Sequence, residues 1–447
     1  MRHALGALVT LATVLAFVPR SSAEDWPQWR GPQRDGVWHE NGVLETFPEP
    51  QIRLRWRTPI SSGYSGPTVA DGRVYVTDRV MEPKQTERVH CFAWDSGEKV
   101  WSYEYVCTYK GVGYEAGPRA SVTIDDGRAF SLGAMGHLIC FDAANGDVLW
   151  KRDLNADYKI RMPIWGIAAS PLVEQGRVIV QIGGSNGACL VAFDAGTGKE
   201  RWRALDDLAS YAAPIMVEQG GQRVLVCWTG GHVVALDPPS GQVLWQHPFP
   251  PKKMVISITT PVVAKGRLFV SSFYDGSLML RLNSDKMAVD PLWQRSGPSE
   301  MKTDGLHSII STPLFQGDYL YGVDSYGELR CLDASTGERI WTSLKPMKPD
   351  PVTRWFTIHM VANADKIWMF NERGELIICR LSPQAYDEIS RARLIEPTTD
   401  QLDRRGRGVC WAHPAYAYRH VFARNDRELV AADLSADPAD NAPRDDR

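Results

Sequence analysis

Short runs of alternating hydrophobic and polar residues dominate this chain, and helical periodicity is almost absent. Gly72-Arg73-Val74-Tyr75-Val76, Gly127-Arg128-Ala129-Phe130, Gly176-Arg177-Val178-Ile179-Val180 and Gly266-Arg267-Leu268-Phe269-Val270 each open on a turn signal and read as strands. A longer phrase recurs downstream. It runs Phe141-Asp142-Ala143-Ala144-Asn145-Gly146-Asp147-Val148-Leu149-Trp150 in its fullest form. Copies run from Phe193-Asp194 to Trp202, from Leu236-Asp237 to Trp245 and from Leu332-Asp333 to Trp341. A shortened copy spans Asp95 to Trp101, and a degraded one runs from Leu282-Asn283 to Trp293. Successive Trp residues from Trp101 to Trp341 lie 43 to 52 residues apart, the period of a four-stranded propeller blade.

The residue types explain the phrase. Asp at the end of one strand can bond the following turn, Gly supplies the positive φ, and the Trp ring can wedge between neighbouring units. Units begin near Tyr64, Arg119, Ile167, Tyr211, Ile258, Ile310, Thr357 and Trp411, which predicts eight blades. The last unit lacks its outer strand and its Trp. Near the other end, Leu54-Arg55-Trp56-Arg57 matches Val148-Leu149-Trp150-Lys151. The expected fold is therefore an all-β, eight-bladed β-propeller spanning 51–434, with an N-terminal strand closing the ring so that no sheet edge stays open.

Met1 to Ala23 carries a basic start, an apolar run from Ala4 to Val18 and the small-residue end Ser21-Ser22-Ala23, so residues 1–23 read as a cleaved export signal. The apolar run is too short to span a bilayer, no Cys lies there to carry a lipid anchor, and no second apolar run of spanning length occurs. A Trp-rich strap over 24–50, with Trp26, Trp29 and Trp38, is expected to cover part of a propeller face, and a disordered tail is expected over 435–447. The predicted location is the periplasm or the extracellular space. A net charge of −3 over 447 residues argues against nucleic acid as the partner. The eight Cys form no CxxC pair, and buried free thiols are expected for most of them.

The repeats resemble those of pyrroloquinoline quinone (PQQ)-like propellers, the quinoprotein alcohol dehydrogenase-like family, whose signature is A-x-D-x-x-T-G-x-x-x-W. The opening Trp26-Pro27-Gln28-Trp29-Arg30-Gly31-Pro32 also looks like the lead segment of exported members. Within the family stand the quinoprotein dehydrogenases and the propeller lipoprotein of the outer-membrane β-barrel assembly machinery. The resemblance implies the fold, and for the dehydrogenases it implies PQQ with calcium as cofactor. The adjacent Cys pair of those enzymes does not occur here, and neither does the lipid-bearing Cys of the lipoprotein.

Candidate site residues come from the loops joining each outer strand to the next inner strand, and from the inner strands themselves. The position before the recurrent Pro reads Gly66, Ser121, Ser170, Ala213, Thr260, Thr312, His359 and His413. Two residues earlier, on the same strand face, stand Tyr64, Arg119, Ala168, Tyr211, Ile258, Ile310, Thr357 and Trp411. Expected ligand-binding residues are Tyr64, Arg119, Trp165, Tyr211, Asp304, His307, Trp355, His359, Trp411 and His413. Candidates for catalysis are His307, His359, His413 and Arg119, as imidazoles that move protons and a guanidinium that holds a carboxylate. Neither His-x-His nor His-Glu-x-x-His spacing occurs, so no metal site is expected. Three functions stay open: an exported, non-catalytic propeller binding a small anionic ligand, glycan or exported protein at its channel face; a PQQ-dependent oxidoreductase; and a carbohydrate-active enzyme of lyase or epimerase type. The first is favoured because no catalytic motif is complete.

Overall fold

The computed structural model describes residues 23–348 and 354–436, apart from the side chains of 403–405. All but the last residue of the expected export signal and all of the tail beyond 436 lie outside them. Eight four-stranded antiparallel sheets follow one another around a ring. Seven are continuous in sequence, covering 68–106, 123–153, 172–204, 215–248, 262–295, 314–343 and 358–393. The eighth combines Ala415–Ala417, His420–Arg424 and Glu428–Asp433 with the N-terminal strand Leu54–Pro59. That strand pairs antiparallel with Glu428–Asp433, placing Trp56 opposite Ala431. The two chain ends thus close the ring.

The recurring phrase builds the joint between blades. A bulge interrupts the third-to-outer strand pairing in all eight sheets, beside the Trp where one is present, as between Cys140 and Phe141 opposite Trp150. Each of these Trp rings leans onto the turn of the following blade. A Cβ on Gly146 would stand 2.6 Å from the Trp101 ring, and one on Gly97 would meet the Trp56 ring at the same distance. Both glycines also sit at positive φ, so no other residue fits there without strain. The indole N–H groups of Trp56, Trp101 and Trp150 donate to the carbonyls of Trp94, Ala143 and Ala195 at 2.8, 3.0 and 2.9 Å. Blade five lacks the full Asp–Gly turn, and there Trp245 donates to Gln219 Oε1 instead.

Blade seven has no Trp in its outer strand. The strap covers this joint: Trp38, Ile52, Trp368, Phe370, Tyr416 and Leu434 belong to one buried cluster spanning blades seven, eight and one. Backbone bonds tie the strap down, from Trp38 N to Ala362 O, Leu44 N to Leu434 O and Ile52 N to Arg393 O, each 2.8 Å. Ser435 pairs with Val43, and Ala436 N donates to Gly42 O, so the chain is held two residues beyond the expected end of the propeller.

Two short helical segments interrupt the β pattern, Leu154–Tyr158 and the 3-10 turn Asp400–Arg405. Both lie in outer-to-inner loops, too short to show a sequence period; the first is capped by the Asp153 side chain on Ala156 N. All eight Cys are buried and free. Among the described residues no helix is long and apolar enough to cross a membrane.

Candidate functional site

The eight inner strands surround a central channel, and its two ends differ. From the strap side, Arg34 enters between blades three and four. Its guanidinium donates to the carbonyls of Ser170 (3.2 Å), Pro214 (3.0 Å) and Pro171, and its Nε to Gln28 Oε1 (2.8 Å). Complete burial lowers its pKa to about 9. Trp29 reaches further across: its indole N–H donates to Thr260 Oγ1 at 2.8 Å, and its ring lies 5.2 Å from that of His413. The strap therefore floors the channel.

Above that floor is a cup of about 160 Å³ open to the opposite, loop-rich face. Of the eight inner-strand positions read from the sequence, seven line it: Tyr64, Arg119, Ala168, Tyr211, Ile258, Ile310 and Trp411. The outer-to-inner loops add Tyr114, Trp165, Ile309 and Trp355. The seven occupy one place in the repeat, three residues before the Pro position and four before the first residue of the inner strand, so the symmetry of the ring brings them to one opening. Trp165 lies 5.1 Å from Tyr211 and 6.1 Å from Tyr114, and Tyr114 is 6.0 Å from Trp411. The wall is thus nearly continuous aromatic surface. Trp355 holds a positive φ of 75°, unusual for a bulky residue, and its buried indole N–H has no hydrogen-bond partner among the described residues.

The polar candidates are mostly engaged. Arg119 donates to the carbonyls of Gly117 (2.7 Å), Gly113 (2.9 Å) and Tyr114, and its guanidinium lies 5.0 Å from the Tyr64 ring. It orders the loop 107–117 rather than presenting a free fork for a carboxylate. Buried Glu87 anchors the same loop by accepting from the Tyr105 and Tyr109 hydroxyls and, at 3.1 Å, from Ala134 N.

The two histidines of blades seven and eight meet, with ring centroids 4.8 Å apart. His359 donates from Nε2 to Trp411 O at 2.7 Å, and His413 from Nδ1 to Pro414 O at 2.5 Å. Burial pushes the His359 pKa down to about 4. Burial, the neighbouring His359 and Arg30 hold His413 well below the usual range. Both are neutral near pH 7. His413 touches the cup and His359 lies behind it. The small residues at the equivalent positions are explained by blade-to-blade contact: a Cβ on Gly66 would stand 2.2 Å from His413 O, and Ser121 N donates to Ser170 Oγ at 3.0 Å.

His307 and Asp304 are not brought to the cup. His307 is buried, bonding Phe273 O through Nδ1 at 2.8 Å, and Asp304 pairs with Arg295 at 2.8 Å on the rim. The loop carrying them has no strand period to fix which way its side chains face. Trp29 was not among the sequence candidates, and neither was Glu372. That buried carboxylate accepts from Trp411 Nε1 at 3.1 Å and Thr357 N at 3.0 Å, and pairs with Arg407 at 2.6 Å. Desolvation raises its pKa to about 7 against the pull of Arg407. For Trp29 the available signal was a cluster of Trp outside the repeat; Glu372 lies in an unremarkable turn.

The residues do not fit PQQ with calcium. Among the described residues no three His, Cys, Asp or Glu side chains cluster as cation ligands. An anionic quinone would share the cup with Trp29 and face a single arginine already bonded to three carbonyls.

A family model described as outer membrane protein assembly factor BamB matches residues 85–343, more than half of the chain. The BamB of Shewanella oneidensis is 21% identical over 58% of this chain and 65% of its own length, just under two thirds of that relative. The BamB of Burkholderia pseudomallei is 24% identical over 75% of this chain and 77% of its own. Among solved structures, BamB from Moraxella catarrhalis superposes with a TM-score of 0.57 at 15% identity, covering 85% of this chain and 99% of that one. A europium-containing methanol dehydrogenase superposes with a TM-score of 0.62 at 13% identity, covering 95% and 93%. At such identities the structural likenesses carry the fold alone, whereas the span of the family model is decisive: this chain belongs to the outer membrane protein assembly factor BamB family of PQQ-like β-propellers.

Proposed function

We propose that this protein is an exported, periplasmic-type, non-catalytic propeller that engages a protein partner through the aromatic cup and the loops around it, as an assembly factor does. The observation that carries this reading is the state of the cup's polar groups. Both histidines are neutral, buried and bonded to backbone carbonyls, and Arg119 is bonded into its own loop. What faces outward is aromatic and aliphatic surface, which suits recognition rather than proton transfer. Membership of the BamB family supports a partner in outer-membrane protein assembly.

The test is complementation. A deletion strain should contain less folded outer-membrane β-barrel protein, and the wild-type gene should restore it. A Trp165→Ala, Trp355→Ala double variant should accumulate normally in folded form yet fail to restore it. Undiminished barrel assembly in the deletion strain would overturn the assembly role, and full rescue by the double variant would overturn the cup as its site.

A further inference from the structure

The cup does not end at its rim. Trp165, Ile258, Ile310 and Trp355 also belong to an apolar cluster with Met254, Ile256, Phe273, Tyr274, Ile309 and Tyr326, which carries the aromatic surface outward over blades five and six. Phe273 is fully buried and lies 5.0 Å from Trp355 and 4.6 Å from Tyr274, so it props the half-buried rings of Trp355, Tyr274 and Tyr326 into one terrace leading away from the opening. Met301, next to Glu300 in sequence, is 74% exposed among the described residues.

The charges beside this terrace are unbalanced. Lys253 Nζ lies 4.6 Å from the Tyr274 ring, and the Arg354 guanidinium lies 5.8 Å from both Phe273 and Trp355. Both cations share one carboxylate, Glu300: Lys253 at 3.5 Å and Arg354 in direct contact. Lys252 adds a third positive charge, its ammonium bonded to Ser296 Oγ at 3.3 Å, and Asp275, which accepts from the Lys252 backbone N–H at 2.8 Å, adds a second carboxylate, so among the described residues one positive charge is left in excess. An aromatic surface with excess positive charge at its edge complements a segment that is both aromatic and acidic.

We infer that the cup and terrace together bind an extended acidic segment of a partner protein, with one aromatic side chain seated in the cup and flanking carboxylates on Lys252, Lys253 and Arg354. This rests on the reading of the cup as a partner site and names the chemistry of the partner. The cup volume of about 160 Å³ takes a single ring, and the terrace lies where the chain flanking that ring would run. Anchoring by one buried side chain, with adjacent charges setting specificity, is a common division of labour in peptide recognition.

The experiment uses the full mature chain and labelled nonapeptides read by fluorescence anisotropy. One carries a central Tyr flanked by Asp and Glu; a second replaces Tyr with Ala; a third keeps Tyr with Lys flanks. The acidic Tyr peptide should bind about tenfold tighter than either of the others, and should weaken between low and high salt. The exposed Lys252→Glu, Lys253→Glu double variant should lose about tenfold for the acidic peptide and gain for the Lys-flanked one. Trp165→Ala should weaken both Tyr peptides alike. Equal binding of the acidic and Lys-flanked Tyr peptides would overturn the charge inference while leaving the cup intact; no advantage of Tyr over Ala would overturn the cup reading itself. N-acetyltyrosinamide binding as tightly as the peptide would overturn a protein segment in favour of a free small aromatic. A dimer in sedimentation velocity that dissociates in Trp165→Ala would overturn it in favour of a second copy of this chain.

Discussion

The two ends of the channel are built from the same residue types and put them to opposite use. On the strap side Trp26 and Trp38 are buried to within 1% of full, and Arg34 bonds three carbonyls of blades three and four. On the mouth side Trp165, Trp355, Tyr64 and Tyr114 surround a space they do not fill, while Val106, Ile164, Leu208 and Met301 stand more than 40% exposed on the same face. Burying an aromatic ring stabilises a fold strongly, and a face that leaves several rings half covered forgoes that gain. The difference teaches that the strap end holds the ring together, whereas the mouth end is kept open for something else to cover.

The comparison can be broken most severely at Trp38. Its ring is fully buried, 5.4 Å from Trp368 and 5.2 Å from Tyr416, at the one joint without a Trp from the repeat. Trp38→Ala should cost about 3–5 kcal/mol in denaturant unfolding. A loss below about 1 kcal/mol would mean that the strap is not structural.

Acid should act through the same end. His359 is held at about 4 against an ordinary 6.5, and burial holds His413 well below its ordinary value too, so the unfolded chain binds more protons than the folded one below pH 6.5. Stability should therefore be fully present above 6.5 and fall as the pH drops toward 4, by on the order of 3 kcal/mol for His359 alone. Glu372, raised to about 7, works in the opposite direction between about 4.5 and 7, because its folded form binds the extra proton. Two histidines outweigh one carboxyl over this window. Unfolding followed from pH 7 to pH 5 should show a net loss, and His359→Asn should flatten it.

Arg34→Met should cost about 2–3 kcal/mol, because the carbonyls of Ser170, Pro171 and Pro214 lose a charged donor while staying buried. The mouth end should respond least. Trp165→Ala is expected to change stability by less than about 1 kcal/mol, since its ring is only partly covered, while partner binding is lost. Thermal unfolding of the Arg34 and Trp165 variants side by side sharpens the contrast.

Much of this was legible in the sequence, for identifiable reasons. The blades could be counted because Asp142 bonds its own turn and Gly146 turns it at positive φ, while Trp150 reaches one repeat onward to Ala195, so the same residues recur at a fixed spacing. Ring closure was legible because Trp56 sits in a copy of that signature at the wrong end of the chain. The cup was half legible. Their equivalent place in the repeat put Tyr64, Arg119, Tyr211 and Trp411 on one wall, whereas His307 and Asp304 sit in a loop that no repeat position fixes, and they fell outside. The role of Trp29 depends on a strap that crosses the ring from blade one toward blade seven, a path set by tertiary packing and invisible to any period.

The most direct test places a photo-crosslinking amino acid at Ile258, in the cup, and separately at Asp147, in an exposed blade turn on the strap side, in the exported protein within its own cells. The account predicts a defined adduct with another exported protein from position 258, lost in Trp165→Ala, and none from position 147. Adducts from position 147 with none from position 258 would contradict it.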